Sequence, residues 1–292
     1  MPGCGVHLVL AARVLGTGPG SETDTARAAY FTGAIAPDMG YFPGGDRFAS
    51  DLAHHVRTGQ LVRALSRSAS GSEAAAFARG WASHVLADVL VHPLVNRAAA
   101  ELSRETPHDD HVSHIRVEQG MDAVLSARFS ASALWPQSHN HLPGAVQQLA
   151  TAYRETYRFA PTERHLTESC RAIARGVPLL LRYGRIAVRA LEGRSLPALA
   201  VGSAFRAARL ATALVPQRLV YAFSRPCRPS EQLTAEVLEV IEEFPARFAA
   251  LEANGFADLI DYNLDTGKPE DAPHPPARAT HERLRALAHS PT

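Results

Sequence analysis

The sequence predicts an all-α fold for a chain of 292 residues. Apolar residues recur at helical spacing along most of the chain, and strand-like alternation of apolar and polar residues is missing. Alanine, leucine and arginine, which favour helices, dominate the composition. Hydrophobic residues make up 46% and charged residues 20%, the composition of a globular protein that buries a core.

Helical periodicity predicts helices along most of the chain, separated by loops where glycine and proline gather at 38–46 and 136–143. Because a residue before proline is disfavoured in the helical region, Pro93 predicts a kink or an end at His92. The predicted helices cover 6–16, 22–36, 47–67, 72–102, 110–130, 143–158, 163–191, 199–222, 230–252 and 276–289.

Charge is unevenly distributed beyond residue 160. Residues 163–228 contain twelve arginines and three glutamates, whereas residues 231–271 contain eleven carboxylates against Arg247 and Lys268. The two stretches can pack against each other. Alternatively, the basic stretch can face an anionic surface such as lipid headgroups or a phosphorylated substrate.

Composition and charge exclude several classes of protein. The formal net charge of +1 gives no field that attracts nucleic acid, and no nucleic-acid-binding motif is found. Three scattered cysteines form neither a disulfide framework nor a Cys-x-x-Cys pair. The N-terminal apolar stretch contains a histidine and an arginine and lacks a preceding basic segment, so no signal peptide is predicted. No apolar run is long enough for a membrane span, and we expect a cytoplasmic protein.

Histidines concentrate near the N-terminus, where eight of the 14 lie before residue 115. His84, Asp88 and His92 follow one another at i, i+4 and i+8. Four residues turn a helix by roughly 400°, so the three side chains form a stripe on one face of a predicted buried helix. His84 and Asp88 can bind one ion together, whereas His92, about 12 Å along the axis from His84, is better placed for a second ion.

Further histidines and carboxylates accompany this stripe. His114 and Glu118 form a second pair at i, i+4, with Asp122 one turn further on, and Asp38 follows an apolar helix. Additional upstream imidazoles are His7, His54 and His55. Imidazole nitrogen and carboxylate oxygen together form a ligand set suited to Zn²⁺, and Mn²⁺ or Fe²⁺ can occupy such sites.

A lone buried histidine is usually a hydrogen-bonded core residue, and a single His-acid pair can be a local ion pair. Burying four or five histidines and three carboxylates in one helical domain is costly unless they are paired or bind metal. Metal binding is therefore the better interpretation. The other histidines are expected in solvent. Whether His111 belongs to the metal site is left open, because it lies close to His114.

The segment from His7 to Asp122 resembles the zinc-dependent phospholipase C family, which is related to the P1-type nucleases and to the N-terminal domain of glycosylphosphatidylinositol-specific phospholipase D. The one-turn step from Asp88 to His92 is similar to the phospholipase D-type branch. The matching elements, in order, are His7, Gly33-Ala34-Ile35-Ala36-Pro37-Asp38, the His54 region, Gly80 with His84-x-x-x-Asp88-x-x-x-His92-Pro93, and His114-x-x-x-Glu118-x-x-x-Asp122. Beyond about residue 160 we recognise no motif of a known family.

The resemblance implies a phospholipase C/P1 nuclease-like helical fold, with additional C-terminal helices, that holds two or three zinc ions. It implies that Asp88 bridges two ions and that Asp38 acts as both ligand and general base. The implied ligand sets are Asp38, His54, His84 and Asp88; Asp88 and His7 with, in secreted members, the N-terminal amine; and His92, His114 and Glu118. His55 is the alternative to His54, and Asp122 is unassigned. Trp81 is expected in the core, with stacking on a substrate as the alternative.

The resemblance therefore implies a metal-dependent hydrolase in which an activated water attacks the phosphorus of a phosphoester. The substrate would be a phospholipid or a smaller phosphodiester, with a soluble phosphomonoester or nucleotide of specialised metabolism as the alternative. A further hypothesis is a non-catalytic, zinc-stabilised interaction protein. We expect a metal-binding domain at 1–160 and a helical extension at 161–292 with a proline-rich tail. Peripheral membrane contact would involve 163–228, and the oligomeric state is not predicted.

Overall fold

The structure is a computed structural model that describes residues 3–17, 24–106, 110–135, 143–159, 161–191, 225–272 and 284. Within these ranges the chain is helical apart from one small hairpin, so the predicted all-α fold is confirmed. The predicted helix 199–222 lies outside the described residues, as do nearly all of the predicted helix 276–289 and of the loop 136–143.

In the described ranges, the helices are followed by two short strands, which form a two-stranded sheet. The helices are α1 (Cys4–Thr17), α2 (Asp24–Ile35), α3 (Arg47–His55), α4 (Thr58–Arg67), α5 (Ser72–Glu105), α6 (Asp110–Arg128), α7 (Ala131–Leu134), α8 (Pro143–Tyr157), α9 (Glu163–Leu191) and α10 (Glu231–Ala253), with a 3₁₀ turn at Ala36–Tyr41. The strands β1 (Tyr262–Asn263) and β2 (Lys268–Pro269) pair antiparallel, with Tyr262 opposite Pro269 and Asn263 opposite Lys268.

Helices α2 and α5 form the centre of the fold and approach each other so closely that only glycine fits between them. A Cβ on Gly33 would lie 2.2 Å from the carbonyl oxygen of Phe77, and one on Gly80 would lie 2.0 Å from that of Tyr30. This approach brings the end of α2 beside the middle of α5. The 3₁₀ turn after α2 therefore carries Asp38 to the same place.

The hydrophobic core surrounds this helix pair, and α1 and α6 pack against α5. Trp81 on α5 is completely buried and lies 6.0 Å from the ring of Phe77, measured between ring centroids. Its indole is therefore a core side chain, as expected from the sequence, and leaves no face for stacking on a substrate. The largest fully buried side chains also include Tyr30, Phe31, Leu8, Leu10 and Ile35.

The predicted single helix 47–67 is wrong, because the structure has two helices there, α3 and α4. Val56 is extended and Arg57 takes the left-handed conformation, with φ of 51°. The backbone N–H of Arg57 donates to Oε2 of Glu270 over 2.8 Å, and its guanidinium donates to the carbonyl oxygen of Thr156 over 2.8 Å. These long-range hydrogen bonds stabilise the break, and local periodicity does not reveal them.

Of the kink or end predicted at His92, the end is wrong, because α5 continues through Pro93 to Glu105, in agreement with the predicted helix 72–102. Proline lacks the N–H that would pair with the carbonyl of Val89 in a regular helix. Gly267 covers this turn: a Cβ there would lie 2.7 Å from that carbonyl oxygen. The hairpin segment therefore packs directly on the proline turn of the helix.

The acidic helix α10 packs against α1 and α5. Its ion pairs with these helices are Glu242–Arg13, Glu236–Arg97 and Glu252–Arg79. Within the described residues, helix α10 of the acidic stretch thus pairs with arginines of the N-terminal part of the chain. The six side chains are all partly exposed, so each pair contributes at most about 1 kcal/mol. Among the helices of the described ranges, none is long and apolar enough to cross a lipid bilayer.

Candidate metal centre

The structure brings eight of the predicted site residues together around the middle of α5. They form three groups, and in each group the ligand-type atoms lie within 4.8 Å of one another. The groups are His7, His84 and Asp88 (group 1); Asp38, His54 and His84 (group 2); and His92, His114 and Glu118 (group 3). Every one of these side chains is buried except that of His114, which is 18% exposed.

Asp88 belongs to group 1 and also faces group 2. Its Oδ1 is 3.4 Å from Nε2 of His7, whereas its Oδ2 is 3.2 Å from Nε2 of His84 and 3.8 Å from Nε2 of His54. One carboxylate thus turns different oxygens toward the histidines of two groups. This is the arrangement expected of a carboxylate that bridges two ions.

Asp38 and His54 reach group 2 from two different segments. Asp38 lies in the 3₁₀ turn, which has proline in its first turn, and its Oδ1 is 3.1 Å from Nε2 of His54. His54 lies in the last turn of α3, a helix capped by Asp46, whose side chain accepts a hydrogen bond from the backbone N–H of Ala49. The proline of the 3₁₀ turn and the Asp46 cap of α3 thus favour the local helical turns that carry the two side chains.

Group 3 joins α5 to α6. Oε1 of Glu118 lies 2.7 Å from Nε2 of His114, its i, i+4 neighbour, and 3.3 Å from Nε2 of His92. The rings of His92 and His114 meet edge to face, with centroids 5.6 Å apart. The one-turn step from Asp88 to His92 places group 3 further along α5 than groups 1 and 2, as the spacing predicts.

Four histidines of the centre use Nδ1 for a hydrogen bond inside the protein. The acceptors are the carbonyl oxygens of Ser50 (for His54, 2.8 Å), Ala34 (for His84, 2.9 Å) and Leu264 (for His92), and Oδ1 of Asn96 (for His114, 2.8 Å). A carbonyl oxygen only accepts, so Nδ1 of each ring carries the proton. Nε2 of each ring is then directed into the group and, where it carries no proton, offers its lone pair, as in histidines that ligate metals.

Many ligand-type atoms of the centre are buried without a hydrogen bond in the described part of the chain. They are both ring nitrogens of His7, both carboxylate oxygens of Asp38 and of Asp88, and Nε2 of His54, His84 and His92. Each unsatisfied buried polar atom costs on the order of 1–3 kcal/mol, and more when it is charged. A cation would satisfy the lone pairs of both atom types at once, and the mixed nitrogen and oxygen set fits zinc.

Burial disfavours the charged form of these side chains, and neighbouring groups either reinforce or outweigh its effect on the pKa. Burial, reinforced by His84, lowers the pKa of His7 to about 3, so this ring is neutral and available as a ligand. Burial opposes ionisation of Asp88 as well, yet His84 and His92 hold its pKa well below the usual range. Burial also opposes protonation of His92, but Asp88 and Glu118 raise its pKa to about 9. This ring must release a proton before it binds a metal.

Three further residues named from the sequence lie outside the groups. His55 is buried beside His54, but its Nε2 is 4.0 Å from Oδ2 of Asp265, so the structure places His54 and not His55 in group 2. His111 is exposed on α6. Asp122 is buried and accepts a hydrogen bond from the backbone N–H of Val6 over 2.9 Å, which ties α1 to α6.

Sequence reasoning missed two contributors to the centre, Asn96 and Leu264. Asn96 lies four residues after His92 on α5, and this i, i+4 spacing could have been recognised as a polar continuation of the stripe. Leu264 contributes only its backbone carbonyl, and no sequence pattern reveals such a contact.

The comparisons with known proteins agree with this geometry. The family model for zinc-dependent phospholipase C matches residues 6–177, which is more than half of the chain and includes every residue of the three groups. No curated protein sequence and no solved structure matches the chain. The resemblance found in the sequence is confirmed: the chain belongs to the zinc-dependent phospholipase C family.

Proposed function

We propose that this protein hydrolyses a phosphodiester bond, with a phospholipid as the substrate class, at a centre of two or three zinc ions held by the three groups. The observation that carries the proposal is the position of Asp88. Its Oδ1 faces His7 of group 1 and its Oδ2 faces His54 of group 2, in a buried set of atoms that lack hydrogen bonds in the described ranges. Shared carboxylates are typical of catalytic centres with more than one metal, and structural zinc sites are usually closed and often rich in cysteine.

Asp38, His54 and His84 would hold one ion, His7 a second and group 3 the third, with Asp88 shared between the first two ions. The single Nε2 lone pair of His84 would serve one ion. Bound zinc supplies a water of lowered pKa and a Lewis acid for the phosphoryl oxygens. The remaining work falls to the protein. Nδ1 of His84 donates to the carbonyl oxygen of Ala34 and Nδ1 of His54 donates to that of Ser50, so both rings keep one orientation through the reaction.

Asp38 is assigned the second role of general base. Burial works against its ionisation, but His84 and His54 lower the pKa of this carboxyl group below its ordinary value. Asp38 is therefore ionised at neutral pH and able to accept the proton of the attacking water. Its position beside His54, 3.1 Å from Nε2, keeps the carboxylate at the centre.

Substitution of Asp38 tests this assignment. Asp38→Asn should lower kcat for bis-(p-nitrophenyl) phosphate by roughly 10²–10⁴-fold, since one proton acceptor is lost. Most of the zinc should remain, because His54 and His84 stay. The matched control is Glu239→Gln, which neutralises an exposed carboxylate on α10 and should leave turnover unchanged. Turnover of the Asp38 variant within a few-fold of wild type would remove the general-base role.

The same assay separates the other functional classes. Faster turnover of p-nitrophenyl phosphate than of the diester would assign a phosphomonoesterase. Bound zinc without turnover of either substrate would favour the non-catalytic, zinc-stabilised protein.

We also propose that α9 contacts an anionic membrane surface. Five arginines, Arg171, Arg175, Arg182, Arg185 and Arg189, are exposed along it. Their spacing of four, seven, three and four residues keeps them on one face. No carboxylate follows Glu168 on this helix, and the large apolar side chains Leu179 and Ile186 are 63% and 40% exposed. Basic side chains with exposed apolar neighbours suit an interface with acidic lipid headgroups.

Vesicle sedimentation tests the membrane contact. The Arg182→Gln/Arg185→Gln variant should bind phosphatidylglycerol vesicles roughly 30-fold more weakly, at about 1 kcal/mol per arginine. A charge-matched control, Arg104→Gln/Arg247→Gln, changes exposed arginines of α5 and α10 and should bind as the wild type does. Equal binding by the two variants, or equal wild-type binding to neutral phosphatidylcholine vesicles, would contradict the proposal.

A further inference from the structure

The segment from Leu259 to Glu270, here called the strap, follows α10 and contains β1 and β2. It lies far beyond residue 177, where the family match ends. The strap nevertheless runs across the metal centre and contacts both the α3–α4 side and the α5 side. Its contacts are hydrogen bonds at defined atoms, not only apolar packing.

On the α3–α4 side, the strap is fixed by its backbone. The N–H of Leu264 donates to the carbonyl oxygen of His54 over 2.8 Å, and the N–H of Tyr262 donates to Oγ1 of Thr58 over 2.8 Å. Gly59 permits this contact, because a Cβ there would lie 2.1 Å from the carbonyl oxygen of Leu259. The strap therefore lies directly against the helix end that carries a group 2 residue.

On the α5 side, the strap contacts His92 of group 3 directly and is linked to His114 through Asn96. The carbonyl oxygen of Leu264 accepts the hydrogen bond from Nδ1 of His92. Nδ2 of Asn96 donates to the carbonyl oxygen of Asp265 over 2.7 Å, while Oδ1 of Asn96 accepts from Nδ1 of His114 over 2.8 Å. One side-chain amide thus uses its donor on the strap and its acceptor on a group 3 histidine.

We propose that the strap is the outer wall of the metal centre and that Asn96 is a positioning residue that couples the strap to zinc binding in group 3. The inference rests on the proposed function only in requiring that the three groups bind zinc. Leu264 orients His92 directly, and Asn96 holds His114 in the orientation set by the docked strap. Both rings then direct Nε2 toward Glu118.

This arrangement makes strap docking and zinc binding mutually dependent. A docked strap pre-orients both imidazoles, so zinc binds more tightly when the strap is in place. By linkage, bound zinc must stabilise strap docking by the same factor. Loss of a hydrogen bond to a metal-ligating histidine typically costs 10–100-fold in metal affinity.

Zinc affinity of Asn96 variants, measured by competition with a chromophoric chelator, tests the coupling. Asn96→Leu removes both hydrogen bonds and should weaken one zinc ion per chain by 10–100-fold. Asn96→Asp keeps an acceptor for His114 but turns a second acceptor toward the carbonyl oxygen of Asp265, so it should recover only part of the affinity that Asn96→Leu loses. The control is Gln232→Leu, which removes an exposed side-chain amide hydrogen bond to Glu236 on α10, away from the strap, and should leave zinc affinity unchanged. Wild-type affinity in Asn96→Leu, or the same loss in Gln232→Leu, would overturn the proposal.

Hydrogen exchange on the wild-type protein needs no variant and completes the test. Zinc should slow amide exchange across the strap by at least tenfold relative to the metal-free protein, while α10 serves as an internal reference. Equal exchange of the strap with and without bound zinc would overturn the coupling. A wild-type protein that binds no zinc would instead refute the proposed function, so the two failures are distinguishable.

Discussion

Nε2 of His7 on α1 lies 3.4 Å from Oδ1 of Asp88 on α5, and the His7 ring stacks on that of His84 with centroids 3.9 Å apart. His7 reaches this position because the start of α1 is held from the other side. The buried carboxylate of Asp122 on α6 accepts the N–H of Val6. A Cβ on Gly3 would lie 1.9 Å from Cγ of Asp122, so the chain before His7 packs closely on this carboxyl group.

Asp122 gives a prediction for the pH dependence of stability. Burial raises the pKa of Asp122 to about 7 despite hydrogen bonds from the backbone of Val6 and Gly5. At pH values between about 4, the ordinary pKa of an aspartic acid, and about 7, this carboxyl group holds a proton in the folded state that it has released in the unfolded state. The contribution of this group to stability is therefore fully present below about pH 4 and is lost as the pH rises through about 7.

Asp122→Asn removes this titration and keeps an oxygen that accepts the N–H of Val6. As the pH rises from 5 to 8, the free energy of unfolding of the wild type should fall by at least about 1 kcal/mol relative to that of Asp122→Asn. Urea denaturation of both metal-free proteins at the two pH values measures the difference, in which the contributions of other groups largely cancel. Identical pH dependence in the two proteins would show that Asp122 does not titrate in this window.

The contact between α2 and α5 gives a prediction for packing. Gly80→Ala puts a Cβ 2.0 Å from the carbonyl oxygen of Tyr30 and must push the helices apart, so we expect a loss of at least about 2 kcal/mol in unfolding free energy. The matched control is Gly16→Ala on α1, where no described atom lies within 4 Å of the added Cβ. Alanine there should be neutral or stabilise by up to about 1 kcal/mol. Thermal denaturation compares the variants, and equal effects at the two glycines would contradict the close approach.

Removal of metal should destabilise the protein. Without a cation, the buried nitrogen and oxygen atoms of the centre keep neither a ligand nor a hydrogen bond, and binding to the folded state alone raises stability by mass action. Dialysis against a chelator should lower Tm by several degrees, and stoichiometric zinc should restore it. Magnesium at the same concentration is the control, because it disfavours imidazole ligands. An unchanged Tm after verified zinc removal would show that the bound zinc does not stabilise the fold through these buried atoms.

The sequence predicts much of the centre because its ligands follow helical spacing. The pairs on α5 and α6 occur at i, i+4, so local geometry alone directs each pair to one face. The break at Arg57 could not be predicted, since it depends on Glu270, which is remote in sequence. The strap could not be predicted either, because it orients His92 through a backbone carbonyl, a group that every residue has. Nor does charge alone reveal that α10 pairs with arginines of α1 and α5.

The most direct test of the account is zinc content per chain, measured by elemental analysis on the wild type and on His84→Ala, with bis-(p-nitrophenyl) phosphate turnover on the same samples. His84 belongs to groups 1 and 2, so its loss should remove zinc and turnover together. His165→Ala, an exposed histidine on α9, is the control that should retain both. We expect two or three zinc ions per chain in the wild type. A wild type with at most one ion and no turnover would contradict it.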